Sequence, residues 1–248
     1  MGQHGKHRAL VIRACLIAGL ATASLPAKAV ACRLALVLAM DVSSSVDASE
    51  DTLQRTGLAA ALIAPEVQAA FFQSPQPVAL AVFEWSGRSN QKLLLDWTLI
   101  GSQSDLFSAA SSLARSQRST SEFPTALGHA MGHAATMLQS APVCHAQTVD
   151  VSGDGRNNEG FTPKQAYAHF PFAGVTVNGL AIETAGSTAA AETSVPAHIG
   201  DYYWEEVLYG PGAFLEIANG FDDYERALRR KLERELAPIA VSSLNPLK

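Results

Sequence analysis

Short apolar runs of β character alternate with helical segments along most of this chain, and that alternation restricts the fold more than any other feature. Leu34 to Met40 is the first such run. Asp47-Ala-Ser-Glu50 then has the spacing of a capping box, an acceptor at the helix start with Glu three residues on. The helix it opens is expected to run through Leu53, Leu58, Ala61 and Leu62 to Pro65, where a shorter one restarts over Val67 to Phe72. After the break at Gln73-Ser-Pro-Gln-Pro77, strands are expected over Val78 to Trp85 and Lys92 to Leu99. Ser86-Gly-Arg-Ser-Asn90 between them suits an antiparallel hairpin. Helices over Ser104 to Ser116 and Thr125 to Leu138 follow, then a strand over 147–152 and a short helix over Pro163 to His169. Val175 to Ile182 and Ala213 to Ala218 read as the last strands. In the final helix Tyr224, Leu228, Leu232 and Leu236 recur every four residues against Glu225, Arg226, Arg229, Arg230 and Glu233. Ala185 to Ser194, rich in Ala, Thr, Ser and Gly, reads as a surface loop. Such alternation implies a mostly parallel sheet covered on both faces. Sheets of that kind bind ligands at the carboxyl ends of their strands, where the strand order reverses.

The amino terminus reads as an address. His4-Gly-Lys-His-Arg8 is a basic lead, and Ala9 to Leu25 is an apolar run interrupted only by Arg13, Gly19, Thr22 and Ser24. Pro26-Ala-Lys-Ala29 places small residues where a signal peptidase needs them, and Ala29-Val-Ala31 offers a second site. Residues 1–29 are therefore expected to be an export signal, with cleavage after 31 as the alternative. Residues 30–248 are then a single domain with no internal repeat or linker, periplasmic or secreted. A membrane anchor is the weaker reading, because the uncharged run after Arg13 is about half of the ~20 residues a spanning helix requires. The formal charge of the whole chain is −5. Residues 1–29 hold four bases and no acid, so without them it becomes −9. A chain this acidic is a poor candidate for neutralising nucleic-acid phosphates.

Cys15 falls within the signal, which leaves Cys32 and Cys144. Each stands just ahead of a β-like run, and a notable aspartate ends each segment: Asp41 nine residues after Cys32, Asp154 ten after Cys144. If the two strands are parallel neighbours, ~4.8 Å apart, the cysteines meet at one end and the aspartates at the other. A Cys32–Cys144 disulfide is the expectation. The competing reading, a lipid anchor on Cys32, is disfavoured: the position three before it is Ala, and Cys144 would be left unpaired in an oxidising compartment.

Three loops carry hard oxygen donors. In Asp41-Val-Ser43-Ser-Ser45, a carboxylate and two hydroxyls at positions 1, 3 and 5 of a turn can point to one centre. Oxygen donors of this kind select Mg²⁺, Mn²⁺ or Ca²⁺ over softer metals. Asp and Ser are also common before helices, so an ordinary N-cap region accounts for this loop equally well. Thr125 opens Thr-Ala-Leu-Gly-His-Ala-Met, and Asp154 follows the strand over 147–152 in Val151-Ser-Gly-Asp-Gly155. Taken together, these three loops resemble the metal-ion-dependent adhesion site of von Willebrand factor A domains. The segments Leu36 to Asp47, Asp150 to Gly160, Val175 to Ile182 and Tyr209 to Phe214 are similar to a bacterial, exported branch of that superfamily with no assigned function. The match spans essentially the whole mature chain.

The resemblance implies a Rossmann-like, three-layer α/β fold. Its six-stranded sheet would have the order 3-2-1-4-5-6, with one antiparallel edge strand and helices on both faces. It implies a divalent cation, Mg²⁺ ahead of Mn²⁺ or Ca²⁺. Ser43, Ser45 and Thr125 would supply hydroxyl ligands, and Asp41 and Asp154 would bind directly or through water. Thr120 is the alternative to Thr125, but Thr125 is followed by Gly128 and Ala130 at the family's spacing. The cation would keep one open position for an Asp or Glu carboxylate of a partner protein. Asn157 and Asn158 are candidates for the rim of the site, although as turn formers they have an equally good structural role. Trp85 fits rim or core equally.

Other chemistries are poorly supported. Asp150-x-Ser152-x-Asp154-Gly155 opens like an EF-hand loop, yet Phe161 stands where a bidentate Glu is needed. His129 and His133 have zinc-like spacing, without a catalytic Glu between them or an evident third ligand. There is no Gly-x-Ser-x-Gly elbow and no phosphate-binding Gly-x-x-x-x-Gly-Lys loop. Ser43 occupies the place where an aspartyl-phosphate phosphatase wants a second carboxylate. A metal-dependent hydrolase is the alternative function, but no histidine lies in the three loops to act as general base. A structural module with an idle metal site is the third reading. The expectation is a non-enzymatic, metal-dependent protein–protein interaction.

Overall fold

β1 (Cys32–Asp41) is buried along almost its whole length, as a strand flanked and covered on both faces must be. The computed structural model describes residues 1–2, 31–184 and 198–237. The expected export signal, apart from its first two residues, and the Ala185 to Ser194 loop lie outside the described residues. After β1, the Asp47 carboxylate accepts from the N–H groups of Ser49 and Glu50 while the Glu50 carboxylate accepts from Asp47 N. This capping box opens α1 (Ala48–Leu62). Pro65, at the first position, opens α2 (Pro65–Phe72). β2 (Val78–Ser86) is fully buried, whereas β3 (Asn90–Ile100) is half exposed. Then come α3 (Gln103–Ala114), α4 (Leu127–Gln139), β4 (Cys144–Gly153), α5 (Pro163–His169) and β5 (Val175–Ile182). The described chain ends with α6 (Ile199–Glu206), β6 (Leu215–Ala218), a 3₁₀ turn and α7 (Tyr224–Leu236).

The strands form one sheet in the order β3-β2-β1-β4-β5-β6. Only the β2–β3 pair is antiparallel among the paired strands. Alternate residues of β1 enter two separate cores. Leu34, Leu36, Leu38 and Met40 pack with α1, α2, α3 and α7. Ala35, Val37 and Ala39 pack with α4, α5 and α6. The result is three layers, with the sheet in the middle. Trp85 is fully buried in the second core and does not reach a rim.

Cys32 pairs in register with Cys144 across β1 and β4, and a disulfide joins them with a Cα separation of 4.5 Å. Apart from shifts of one or two residues at the ends of other elements, including α2, β3, α3 and β6, the sequence expectation differs from the fold at α4, β4 and α6. α4 begins at Leu127 rather than Thr125, because the Thr125 backbone is bonded to another loop. β4 extends back to include Cys144, drawn into the ladder by pairing with β1. α6 is unforeseen: Gly200 weakens its first turn, and His198 at its N-cap makes no side-chain capping bond. No helix among the described residues is long and apolar enough to cross a membrane.

Candidate metal site

β1 is the point where the strand order turns, with β2 on one side and β4 on the other. The crevice beyond its carboxyl end is the place where such sheets bind ligands. Met40 pairs with Ser152, so β1 ends at Asp41 beside Gly153, and Asp154 follows one residue on. The Ser43 N–H donates to Asp41 Oδ1 at 2.7 Å and folds the loop back on its first residue. Ser43 Oγ then lies 3.1 Å from Ser45 Oγ, and Ser45 Oγ donates to Asp154 Oδ1 at 2.7 Å. Thr125 Oγ1 donates to Ser43 Oγ at 3.2 Å. Asp41, Ser43, Ser45, Thr125 and Asp154 therefore gather at one point. Ser45 is exposed while the other four are buried, so the cluster opens outward past Ser45. Thr120 takes no part in this chain of contacts, and its hydroxyl accepts from Glu122 N in its own loop.

Asn157 and Asn158 turn inward. Asn158 Oδ1 accepts from Thr125 N at 2.9 Å, and the Asn158 N–H donates to Thr125 O at 2.9 Å. Asn157 Oδ1 accepts from Gly128 N at 3.0 Å, supplying a cap that Ala126 cannot. Their amides hold the Thr125 turn in place.

Three further supports were not anticipated from the sequence. Gln54 Nε2 donates to Asp41 O at 3.0 Å. Arg118 Nη2 donates to the carbonyls of Val42 and Ser43 at 2.8 Å each. Ser44 N donates to Phe123 O at 2.8 Å. One signal was available for Gln54: it lies four residues before Leu58 on the inward face of α1, a polar side chain in an apolar stripe.

Burial pushes the Asp41 carboxyl up to about 8, and the neighbouring Asp154 carboxylate adds to the rise. Burial raises Asp154 as well. Asp41 Oδ2 is buried and accepts no hydrogen bond from the described residues. Two enclosed carboxylates, both raised in proton affinity by burial and joined to three hydroxyls, form an all-oxygen set in need of positive charge. Such a set fits Mg²⁺, Mn²⁺ or Ca²⁺. Among the described residues no three His, Cys, Asp or Glu side chains cluster as a metal site, so a cation here would meet only two charged ligands.

The family described as "Protein of unknown function (DUF1194)" matches residues 31–240. The chain belongs to this family. No curated protein matches the DUF1194 chain in sequence. Among solved structures it is similar to proximal thread matrix protein 1 from the mussel byssus with a zinc-occupied MIDAS motif. That match has 14% identity over 83% of this chain and 48% of that one, with a TM-score of 0.55. It is similar to von Willebrand factor type A from Catenulispora acidiphila, at 13% identity over 83% of this chain and 42% of that one, TM-score 0.52. It is also similar to the pilus adhesin SpaC from Lactobacillus rhamnosus GG, at 14% identity over 83% of this chain and 31% of that one, TM-score 0.57. The DUF1194 chain thus spans about half the length of the byssus protein and less of the other two. Sheet order and these likenesses together make its fold a von Willebrand factor A fold.

Proposed function

We propose that this protein is an exported binding module that holds a divalent cation and, through it, an Asp or Glu carboxylate of a partner protein. Ser43, Ser45 and Thr125 supply hydroxyl ligands, and Asp41 and Asp154 bind directly or through water. Mg²⁺ is the cation favoured, ahead of Mn²⁺ and Ca²⁺. The observation that carries this reading is the convergence of two buried carboxylates and three hydroxyls at the carboxyl ends of β1 and β4. A cation with only two charged protein ligands stays electrophilic enough to take a further carboxylate. It also supplies, at one point, the positive charge that an otherwise acidic chain lacks. Among the described residues no histidine joins the cluster as a general base, which favours binding over hydrolysis. Export places the meeting in the periplasm or outside the cell.

The test is thermal unfolding of the mature chain with and without Mg²⁺ or Mn²⁺. Millimolar metal should raise the Tm of wild type and leave Asp41→Ala unmoved. An unresponsive wild type would remove the site. A pull-down from envelope extract with and without chelator then tests the partner. Recovery of the same proteins in both would separate binding from the metal.

A further inference from the structure

On the α6 side of the sheet, two enclosed polar atoms lack a hydrogen-bond partner among the described residues and flank the same glycine. One is Asp41 Oδ2; the other is the hydroxyl of Tyr203. Side-chain alternation directs Asp41 and Gly153 to the face that carries Ala39 and Val151, which is the face α6 covers. An ideal Cβ on Gly153 would sit 2.6 Å from Tyr203 Oη and 2.7 Å from Asp41 Oδ2. The missing side chain at Gly153 is therefore what allows the phenol and the carboxylate to border a common space. Tyr203 is otherwise packed as an apolar residue, fully buried near Leu208 and Leu215 around Gly179, where phenylalanine would serve as well. Burying an unpartnered hydroxyl is unfavourable, so a tyrosine here needs a use for its oxygen.

Neighbouring tyrosines do not share this property. The Tyr202 hydroxyl accepts from Asn157 N at 3.2 Å, and the Tyr224 hydroxyl lies 3.5 Å from Ser152 Oγ on the opposite face of the sheet. Ligating carboxylates are themselves commonly held by a hydrogen bond from behind, and that bond fixes the direction of their electron pairs. Ser43 N already occupies Asp41 Oδ1, which leaves Oδ2 for such a donor.

We propose that Tyr203 is a positioning residue of the metal site, its O–H donating to Asp41 Oδ2 when the cation is bound and so fixing the carboxylate toward it. This rests on the metal-binding reading above. It adds a specific role for α6, which contributes no metal ligand.

The experiment compares wild type, Tyr203→Phe and Tyr224→Phe as mature, disulfide-bonded chains, using MgCl₂ and MnCl₂ alone as probes. Two quantities are read: the Tm in chelator, and the metal concentration that gives half of the full Tm rise. Removing an unpartnered hydroxyl should leave the chelator Tm of Tyr203→Phe at or above that of wild type. Its half-effect concentration should rise about tenfold or more, in line with the loss of a hydrogen bond to a metal ligand. Tyr224→Phe should titrate like wild type. Metal should also perturb the near-ultraviolet tyrosine absorption of wild type, and Tyr203→Phe should lose that change. If wild type responds and Tyr203→Phe titrates within twofold of it, the role of Tyr203 is overturned while the metal site stands. If wild type does not respond, both fall.

Discussion

The Ser45 hydroxyl donates a 2.7 Å hydrogen bond to Asp154 Oδ1 across 109 positions of sequence, tying the loop after β1 to the loop after β4. It also holds down the proton affinity of a carboxylate that burial raises. Ser45→Ala should therefore cost about 0.5–1.5 kcal/mol in urea unfolding without metal. It should weaken the metal-induced rise in Tm at the same time. A variant with unchanged metal response would show that this hydroxyl ties the loops together without serving the cation.

Glu84, on β2, is fully buried. It pairs with Arg55, which also holds Asp51, and its Oε1 accepts from Ser119 N at 2.7 Å. Arg55 Nη1 donates to Ser116 Oγ at 2.8 Å. The triad thus anchors the segment that delivers Arg118 to the carbonyls of Val42 and Ser43. Glu84→Ala takes one of two carboxylate partners from the buried Arg55 guanidinium, which keeps Asp51, and should cost about 1.5–3 kcal/mol. Equilibrium denaturation measures it, and a loss below ~1 kcal/mol would mean that Arg55 finds other partners. Glu84→Gln, which keeps an acceptor for Ser119, should lose less.

A second buried charge cluster contributes to the response to pH. Lys231 on α7 lies 2.8 Å from Asp150 Oδ1 and 2.6 Å from Glu235 Oε1, and Asn178 Nδ2 donates to the same Glu235 oxygen. Burial, and then the Glu235 carboxylate, push Asp150 up to about 8. In an unfolded chain the same group titrates near ~3.9. Between those values the folded protein keeps a proton on Asp150 that the unfolded chain has lost, so the Asp150 contribution to stability falls as pH rises from about 4 to about 8 and then levels. Half-buried His129 and His133, both lowered by burial, contribute the opposite sign. Asp41 contributes a slope of the same sign in chelator. Asp150→Asn should flatten the Asp150 share, read as the difference in urea midpoint between pH 5 and pH 9. Equal slopes in wild type and variant would contradict the assignment.

The disulfide should be the largest single covalent contribution to stability. Cys32 and Cys144 are 112 positions apart, and cross-links that close long loops restrict the unfolded chain most. Reduction, or Cys32→Ser with Cys144→Ser, should cost about 2–5 kcal/mol. Urea unfolding with and without reductant measures the loss, and coincident curves would assign the bond no weight.

Much of this architecture was legible because it depends on local pattern. Alternating strands and helices gave the parallel sheet, and Cys32, Asp41, Cys144 and Asp154 lie at spacings that matching strands bring together. The five oxygen-bearing residues were legible through motif resemblance. What escaped depends on distant partners. Thr125 looks like a helix start, but Asn158 claims its backbone and moves that start to Leu127. Arg118, Glu84 and Tyr203 sit in unremarkable local sequence, and each acquires its role only where another segment arrives. α6 carries a glycine and no capping side chain, so its helix is owed to packing on β5 and β6, with Ile199, Gly200 and Tyr203 enclosed.

The bond between Cys32 and Cys144 lies at the opposite end of β1 and β4 from the acidic cluster, roughly 30 Å away at the usual rise per strand residue. Its consequence reaches that far end. Two adjacent parallel strands can relieve repulsion at one tip by sliding past each other, and a one-residue slide would also turn each side chain to the wrong face. A covalent staple at the other tip forbids the slide. Asp41 is therefore kept level with Gly153, one residue before Asp154, with or without a cation. Under the proposed metal-binding role, the spacing needed to take up a cation would then persist in its absence without refolding.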